Sequence, residues 1–362
     1  MLKLSTIKFQ ELISKAVQGV GNNKLIPRTN NIAINVKDNV LTLITSDDDN
    51  FLDVSESVES EDFYAVVQAD LFSKLVMRTT SETISLELNG NVLELHGNGT
   101  HKFPVEIDAN TMQMVEYPDP VRDILNVQQQ SIGKIDKDTI QTILTAVKPS
   151  IAVDTKQPQF TNYYFGDVIL ATDTFKISCL KKQITATPIL VNARLMELLA
   201  VYTGDNPMNI YKVGKSLVFA GDDCTVCGCI VEGLESFPVD KIMEYMNNEY
   251  PSKCILPKQP MLQLIDRLSL FVGAFDDGII NINFTEEGLS VSSQKSDSVE
   301  VIPYVSTESN GDMLGSVYLE MLKAQVKAQT TENVDLYYGD GKSLKMIDSA
   351  IDVVSVVSLV KK

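Results

Sequence analysis

The chain has 362 residues, and 44% of them are hydrophobic, which is enough to bury the cores of two or three domains. Its 48 acidic residues exceed its 31 basic ones, and a formal net charge of −17 argues, taken alone, against non-specific binding to nucleic acid. No stretch approaches the ~18 apolar residues of a membrane span, and the amphipathic start lacks a signal-peptide cleavage site. Five scattered cysteines suit a reducing compartment, so we expect a cytoplasmic protein.

Amphipathic helical segments recur along the chain. One kind begins each third, with apolar residues at Phe9, Leu12, Ile13 and Ala16, at Ile140, Ile143, Leu144 and Val147, and at Met261, Leu264, Ile265 and Leu268. A second kind lies between them, at Phe72, Leu75 and Val76, at Leu195, Leu198, Leu199 and Tyr202, and at Tyr318, Met321 and Leu322. Each kind returns after about one third of the chain, which predicts three similar domains of two units each.

Between the helical segments the apolar period changes to two, as at Ile32, Ile34 and Val36, which predicts half-buried antiparallel strands. Turn residues such as Asp38-Asn39 and Asn89-Gly90 separate these strands. The fold class is therefore α+β, with each unit made of one helix followed by hairpin strands. Proline-containing breakers at 118–120, at 250–251 and at 256–257 place the domain joints, and we expect domains at 1–124, 125–252 and 253–362.

Charge is unevenly distributed between the helical segments and the rest of the chain. The six segments contain ten basic and six acidic residues, a net +4, so the remainder carries −21. A shared helical surface would then be mildly basic, although Lys and Arg are also good helix formers on any solvated face. The ten basic residues are Lys8, Lys15, Lys74, Arg78, Lys137, Lys148, Arg194, Arg267, Lys323 and Lys327.

Several segments resemble one protein family from end to end of the chain. They are residues 3–20 (KLSTIKFQELISKAVQGV) with Ile26-Pro27 and residues 32–36 (IAINV), Tyr163-Tyr164, Ala171-Thr172-Asp173, residues 233–238 (GLESFP) and Val356-Val357. Together they are similar to the beta subunit of bacterial DNA polymerase III, the sliding clamp, as in a divergent or virus-encoded member.

The resemblance implies three tandem clamp domains in each chain and a head-to-tail homodimeric ring, with helices lining the hole and sheets outside. Such a ring slides on double-stranded DNA without reading sequence, and it tethers the replicative polymerase, the clamp loader and other proteins that carry a clamp-binding peptide. The implied role is a processivity factor in DNA replication, neither an enzyme nor a holder of a cofactor or metal. A clamp-fold interaction or structural protein that no longer encircles DNA is the alternative.

For DNA binding, the resemblance implies a basic loop with Lys24 and Arg28, and an aromatic pair, Tyr163 and Tyr164, that could stack on an unpaired base. Adjacent tyrosines also fit a strand edge with one ring buried. We add four cations from the helical segments as candidates that face the hole: Lys74, Arg78, Lys148 and Arg194.

For partner binding, the resemblance implies an apolar groove that takes an extended peptide. Its residues would be Phe165, Thr172, Thr174, Phe175, Lys176, Ile177, Pro238, Ile242, Met243, Tyr318, Val356, Leu359 and Val360. The sequence departs from the family here, because residues 174–176 replace Gly-His-Arg and residues 358–362 replace a Met-Pro-Met-Arg-Leu end. We therefore expect a shifted peptide preference.

For ring closure, the resemblance implies contacts by Phe103 and Val105 at one end of the chain and by Leu270 and Phe271 near the other. All four could instead belong to the cores of their own domains. An interface built on two small apolar pairs is one that a loader can open.

Other constellations carry less weight. Cys224, Cys227 and Cys229 have a spacing that could suggest zinc, but in a strand Cys224 points away from the other two. The aspartates at 47–49 and 276–277 could bind a divalent cation, yet Asp is common in turns for backbone reasons. No phosphate-binding loop and no nucleophile–histidine pair stands in a plausible context, which argues against an enzyme.

Overall fold

The computed structural model describes residues 1–21, 26–108, 110–117, 130–154, 156–272, 278–293, 298–309, 311 and 313–360. Lys24, the breaker at 118–120 and the aspartates at 276–277 lie outside these ranges. Within them, no helix combines the length and the apolar character needed to cross a membrane. The α-helices of the described residues are α1 Thr6–Ala16, α2 Ala69–Arg78, α3 Lys137–Thr142, α4 Ala193–Leu198, α5 Val239–Asn247, α6 Lys258–Leu268 and α7 Leu319–Ala328.

Antiparallel strands make up most of the remaining structure. They are β1 Leu2–Ser5, β2 Asn31–Lys37, β3 Val40–Ser46, β4 Asn50–Ser57, β5 Phe63–Gln68, β6 Thr83–Asn89, β7 Val92–His96, β8 Thr100–Pro104, β9 Gly133–Ile135, β10 Asn162–Phe165, β11 Ile169–Thr172, β12 Lys176–Leu180, β13 Ile189–Asn192, β14 Met208–Val213, β15 Ser216–Ala220, β16 Cys224–Cys229, β17 Ser252–Pro257, β18 Ile279–Phe284, β19 Leu289–Ser293, β20 Val299–Ile302, β21 Ser306–Glu308, β22 Met313–Tyr318, β23 Asn333–Tyr338, β24 Ser343–Asp348 and β25 Val353–Ser358.

The chain divides into two compact units, and the first comprises residues 1–140 and 194–230. It contains an eight-stranded sheet in the order β5-β2-β3-β4-β16-β15-β14-β9 and a four-stranded sheet in the order β1-β6-β7-β8. The larger sheet depends on the pairing of β4 with β16, which places Asp53 opposite Thr225. A strand from the first third of the sequence is thus paired with one from the middle third.

The second unit comprises residues 141–193 and 231–362. Its larger sheet has the order β13-β10-β11-β12-β25-β24-β23-β17-β21, and its smaller sheet has the order β20-β19-β18-β22. The central pair is β12 with β25, and it places Ser178 opposite Ser355. The plan resembles that of the first unit, since two sets of strands meet at one long-range pair: four and four strands in the first unit, four and five in the second.

Helix α1 illustrates how the helical segments form. The Ser5 side chain accepts a hydrogen bond from the amide of Lys8 at the N-terminus, and Lys15 lies in the last turn, where a cation is favoured. Phe9, Leu12, Ile13 and Ala16 are buried, as the spacing predicts. Burial of each large side chain contributes roughly 1.5–3 kcal/mol.

A row of three aromatic rings joins α1, α2 and β8 in the first unit. Phe9 and Phe72 meet edge to face with centroids 6.2 Å apart, and Phe72 meets Phe103 in the same way at 5.2 Å. The side-chain amide of Gln10 donates to the carbonyls of Val76 and Thr79, which satisfies the C-terminal end of α2. The two helices are therefore fixed to each other by both packing and hydrogen bonds.

The second unit has a buried polar network on one side of its central strand pair. The hydroxyl groups of Ser150 and Ser178 lie 2.8 Å apart, and the amide of Gln325 on α7 donates to the Ser150 hydroxyl at 2.7 Å. Gln329, one turn later on α7, donates to the hydroxyl of Ser355. All of these side chains are buried, so the network specifies which residues meet across the pair.

The structure differs from the predicted elements in three places. The segment that begins at α3 continues as a π-helix, Ile143–Val147, and Pro149 in its last turn lacks the amide hydrogen that an α-helix would bond to the Thr145 carbonyl. Tyr318 ends β22, so the buried face of α7 begins at Leu319 instead. Helix α5 was not among the six predicted segments.

We expect Phe72→Ala to lower the free energy of unfolding of the first unit by roughly 3–5 kcal/mol, because it removes the middle ring of a fully buried row. Urea unfolding measures this change. Leu71→Ala is the matched control on the same helix, since Leu71 is 60% exposed, and it should change the value by less than about 0.5 kcal/mol. Equal effects of the two substitutions would contradict the packing described above.

Candidate functional site

A tight turn between β11 and β12 forms one edge of the candidate groove in the second unit. The Asp173 carboxylate accepts the amides of Phe175 and Lys176 at 2.9 and 2.7 Å, and the Thr172 hydroxyl donates to the Lys176 carbonyl at 2.8 Å. Thr174 has a φ of 76°, which a β-branched residue rarely adopts. This hydrogen-bonded turn leaves the side chain of Phe175 50% exposed.

The C-terminal segment is attached next to this turn. The amide of Ser358 donates to the Phe175 carbonyl at 2.8 Å, and the amides of Leu359 and Val360 donate to the carbonyls of Lys342 and Ser316. The Leu359 side chain is buried in the core of the last third of the chain, which fixes the segment. The ring of Phe175 meets that of Tyr318 edge to face, with centroids 6.4 Å apart. An aromatic pair therefore lies beside the end of the chain.

An apolar cluster lies on one face of the β12–β25 pair. Ile177 and Val356, which face each other across the pair, contribute to it together with Ile242 and Met243 of α5. Tyr164 and Phe237 stack within it, with centroids 5.6 Å apart and an interplanar angle of 20°. The remaining buried members are Phe160, Leu170, Cys179, Leu190, Met246 and Val354. Pro238 stands at the N-cap of α5 and is half-buried.

The predicted groove residues thus divide into three groups. Ile177, Ile242, Met243 and Val356 share the apolar cluster, residues 172–176 form the turn, and Tyr318, Leu359 and Val360 belong to the C-terminal segment and its neighbours. Pro238 stands apart at the start of α5. Phe165 is fully buried in β10, and Thr172, Ile242 and Val356 are also buried, so these four residues have little or no surface with which to contact a peptide. Phe165 supports the sheet beneath the groove.

The one cation of the turn is neutralised within it. The ammonium group of Lys176 lies 3.2 Å from the carboxylate of Asp173, and both side chains are largely shielded from solvent. An ion pair of this kind leaves little net charge to attract an acidic peptide group. The edge of the candidate groove therefore presents an aromatic ring at Phe175, and the charge of Lys176 is compensated by the carboxylate of Asp173.

The candidate DNA-binding cations are mostly engaged by carboxylates. Arg28 pairs with Asp48, Lys74 lies 2.7 Å from Asp70, and Arg194 lies 3.1 Å from Asp47. Arg78 and Lys148 are exposed. The three paired cations belong to the first unit, and each of them carries a local counter-charge.

Tyr163 and Tyr164 do not offer a stacking platform. Tyr163 is fully buried in β10 and Tyr164 is 8% exposed, with its ring stacked on Phe237. Base stacking needs an open ring face, so the stacking role is corrected to a core role for both tyrosines. The strand-edge alternative had allowed one buried ring, and here both are buried.

The four candidate interface residues divide into two kinds. Phe103 and Val105 are 4% and 6% exposed, and Phe103 belongs to the aromatic row of the first unit. Leu270 and Phe271, directly after α6, are 81% and 53% exposed. The sequence reasoning missed Val299 and Val301, which are 59% and 48% exposed on β20, although the alternation Val-Glu-Val in a short strand was a usable signal.

The cysteine run lies in β16 as an ordinary strand. Cys224 faces away from Cys227 and Cys229, and Cys224 and Cys227 are buried. Burial raises the pKa of the Cys224 thiol, which disfavours the thiolate that a metal would need. In the described ranges, no three His, Cys, Asp or Glu side chains converge as a metal site would require.

Comparison with known proteins finds a family domain and solved structures to which the chain is similar. Residues 1–121 match the family model described as the DNA polymerase III beta subunit, N-terminal domain. No curated protein matches the chain. Among solved structures, the chain is similar to the beta subunit of DNA polymerase from Streptococcus pyogenes, with a TM-score of 0.84 and 14% identity over 100% of both chains.

Two further structures give the same result. The DNA polymerase sliding clamp from Bacillus subtilis has a TM-score of 0.82 at 14% identity, over 100% of this chain and 99% of that one. The DNA polymerase III beta subunit from Thermotoga maritima has a TM-score of 0.81 at 15% identity, over 100% and 99%.

The α+β fold of the sliding clamps therefore extends over the whole chain, as the sequence predicted. The resemblance to the DNA polymerase III beta subunit is confirmed as well. Residues 1–121 match the model of that family's N-terminal domain, and the similarity to the clamps of solved structure is one of fold, at 14–15% identity.

Proposed function

We propose that the protein is a DNA sliding clamp, a non-catalytic processivity factor in DNA replication. Two copies would close head to tail around double-stranded DNA and tether a replicative polymerase, a clamp loader and other partners through the groove of the second unit. The observation that carries this proposal is the likeness to clamp structures over the full length of both chains. The family domain at residues 1–121 supports it.

In this proposal each chain supplies three domains, 1–124, 125–252 and 253–362, so that two chains complete six. The repeated sheet plan of the two compact units supports the three-domain division, because each unit contains three sets of four or five strands, and the six sets make three domains of two sets each. A threaded ring is retained by topology, so it needs only weak, sequence-independent phosphate contacts. The protein would act in the cytoplasm, on the nucleoid.

Ring closure would use two of the sheet edges. Strand β8 ends the smaller sheet of the first unit and β20 ends that of the second. Exposed edges pair readily with another chain, and the apolar residues Leu270, Phe271, Val299 and Val301 would be buried by such a contact. The charged residues of these edges, Lys102 of β8 and Glu300 of β20, are paired within their own units with Glu94 and Arg267, so the apolar residues would carry the contact.

We expect the unmodified protein to sediment near twice 40.0 kDa, and Leu270→Ala with Phe271→Ala to shift it to the mass of one chain at low micromolar concentration. We treat Leu270 and Phe271 as hot-spot residues of the interface; truncation of such a residue costs more than ~1 kcal/mol, and two losses of that size are enough to move a dimerisation equilibrium. Sedimentation velocity over a dilution series measures this shift.

Leu314→Ala is the control for this experiment. Leu314 is 64% exposed on β22, at the opposite edge of the same sheet, and its loss should leave the dimer intact. Dissociation by the control variant, or a dimer unaffected by the Leu270 and Phe271 substitutions, would contradict the proposed closure.

The groove would bind an extended partner peptide with a preference for apolar and aromatic side chains. Phe175 and Tyr318 supply an aromatic wall, and the half-buried Ile177 and Met243 supply an apolar floor. The cation at Lys176 is held by Asp173, which weakens its attraction for acidic peptide groups. The groove therefore differs from the family pattern at the three positions 174–176.

We expect a family-type clamp-binding peptide to bind the unmodified protein more weakly than micromolar, and the triple variant Thr174→Gly, Phe175→His, Lys176→Arg to restore micromolar binding. The gain should be at least ten-fold, because the variant recovers the family residues of the turn. Fluorescence polarisation with a labelled peptide measures both affinities. Tyr245→Ala, which removes a 48% exposed ring from α5, is the control and should leave binding unchanged. Micromolar binding by the unmodified protein would contradict the shifted preference.

One observation favours the alternative, a clamp-fold interaction protein that does not encircle DNA. Seven of the ten basic residues of the helical segments have a carboxylate within 4 Å: Lys8, Lys15, Lys74, Lys137, Arg194, Arg267 and Lys323. The helical surface is therefore less positive than its composition suggests. Measurement of retention on circular DNA distinguishes the two functions, because a clamp that encircles DNA is retained and an interaction protein that does not encircle it is not.

A further inference from the structure

Most of these ion pairs connect a helix to a residue outside the helical segments. Lys8 lies 2.8 Å from Glu56, Lys15 lies 2.6 Å from Asp223, and Lys137 lies 2.9 Å from Asp205. The other two such partners are Asp47 for Arg194 and Glu300 for Arg267. Carboxylates of strands and loops therefore offset, locally, the net charge of +4 that the helical segments carry. A count of charges segment by segment does not reveal these pairs.

Two of the pairs lie in one cleft of the first unit. The cleft has a volume of about 670 Å³ and lies along α1, and its charged lining residues are Lys8, Glu11, Lys15, Glu56 and Asp223. Two cations and three carboxylates give this part of the helical surface a negative balance. A DNA phosphate approaching Lys8 or Lys15 meets carboxylates that already occupy the ammonium groups.

The Lys15–Asp223 pair is the more firmly built. The Thr203 hydroxyl donates to the same carboxylate oxygen at 2.7 Å, and Lys15 also contacts that hydroxyl. Burial by itself would raise the pKa of Asp223, but the hydrogen bonds from Lys15 and Thr203 outweigh it and hold the pKa below its ordinary value. Asp223 therefore stays ionised at neutral pH. For Lys8, the hydrogen bond with Glu56 raises the pKa, which keeps this ammonium group protonated.

We propose that Glu56 and Asp223 act as an intramolecular screen that occupies Lys8 and Lys15 and weakens the hold of the helical surface on DNA. The screen rests on the proposed clamp function. It would suit a clamp because a ring that is retained by topology slides more freely when its phosphate contacts are few and easily exchanged. The two carboxylates are accordingly DNA-affinity determinants, although neither contacts DNA.

The test compares the full-length protein with the double variant Glu56→Gln, Asp223→Asn. Binding to a fluorescent 30-base-pair linear duplex is measured by anisotropy at sodium chloride concentrations between 50 and 200 mM. Freed Lys8 and Lys15 add about two phosphate contacts, so the slope of log K against log salt should steepen by about 2 and affinity at 100 mM salt should rise roughly ten-fold. Circular dichroism and sedimentation confirm that the fold and the assembly are unchanged.

Two controls make the result specific. Glu59→Gln with Glu61→Gln changes the net charge by the same amount at exposed positions in the loop between β4 and β5, and it should alter affinity by less than two-fold. Addition of Lys8→Gln and Lys15→Gln to the first double variant should return both affinity and slope to the starting values. A gain from the loop control equal to that of Glu56→Gln, Asp223→Asn would overturn the screen in favour of a general charge effect.

The remaining outcomes separate the screen from the clamp function. Salt-sensitive binding by the unmodified protein together with an unchanged double variant overturns the screen and leaves the clamp proposal in place. Absence of binding by both proteins at 50 mM salt overturns the screen as well. If, in addition, the protein is not retained on closed circular DNA, the proposed clamp function is overturned as well.

Discussion

Two long-range strand pairs, β4 with β16 and β12 with β25, are the constraint on which the rest of the structure depends. Each joins strands that are far apart in sequence and converts two sets of four or five strands into one large sheet. The apolar cluster of the second unit depends on the adjacency of β12 and β25, since Ile177 and Val356 face each other across that pair. The Ser150–Ser178–Gln325 network on the other face has the same dependence.

The periodic parts of the fold could be predicted from the sequence. The buried faces of α1 and α6 follow the i, i+3, i+4, i+7 spacing, and the Asp38-Asn39 turn adopts positive φ at both residues, as its composition indicates. Helix α5 was missed because only Ile242 and Met246 are buried on it, which is too short a pattern. The pairing of β4 with β16 had no local signal, because it depends on contacts between distant segments.

Burial and pairing account for the site residues that the sequence misjudged. Adjacent tyrosines look the same in a sequence whether a ring is open or covered, and Phe237 covers Tyr164 only after the chain has folded. Charge counts by segment likewise cannot reveal that Lys15 meets Asp223, more than 200 positions later. By contrast, the sequence itself showed that residues 174–176 differ from the family pattern. The structure adds what this difference does to the turn: the side chain of Phe175 is exposed, and the charge of Lys176 is neutralised by Asp173.

The central claim is that the protein holds DNA by encircling it, and topology tests it most directly. Diluted protein is allowed to assemble in the presence of a nicked circular plasmid, and gel filtration then separates DNA-bound from free protein. Half of the DNA-containing fraction is cut once with a restriction enzyme, and both halves are separated again. The account predicts that the protein elutes with the circle and leaves the DNA when the circle is cut. Equal retention on circular and linear DNA, or no retention on either, would contradict it.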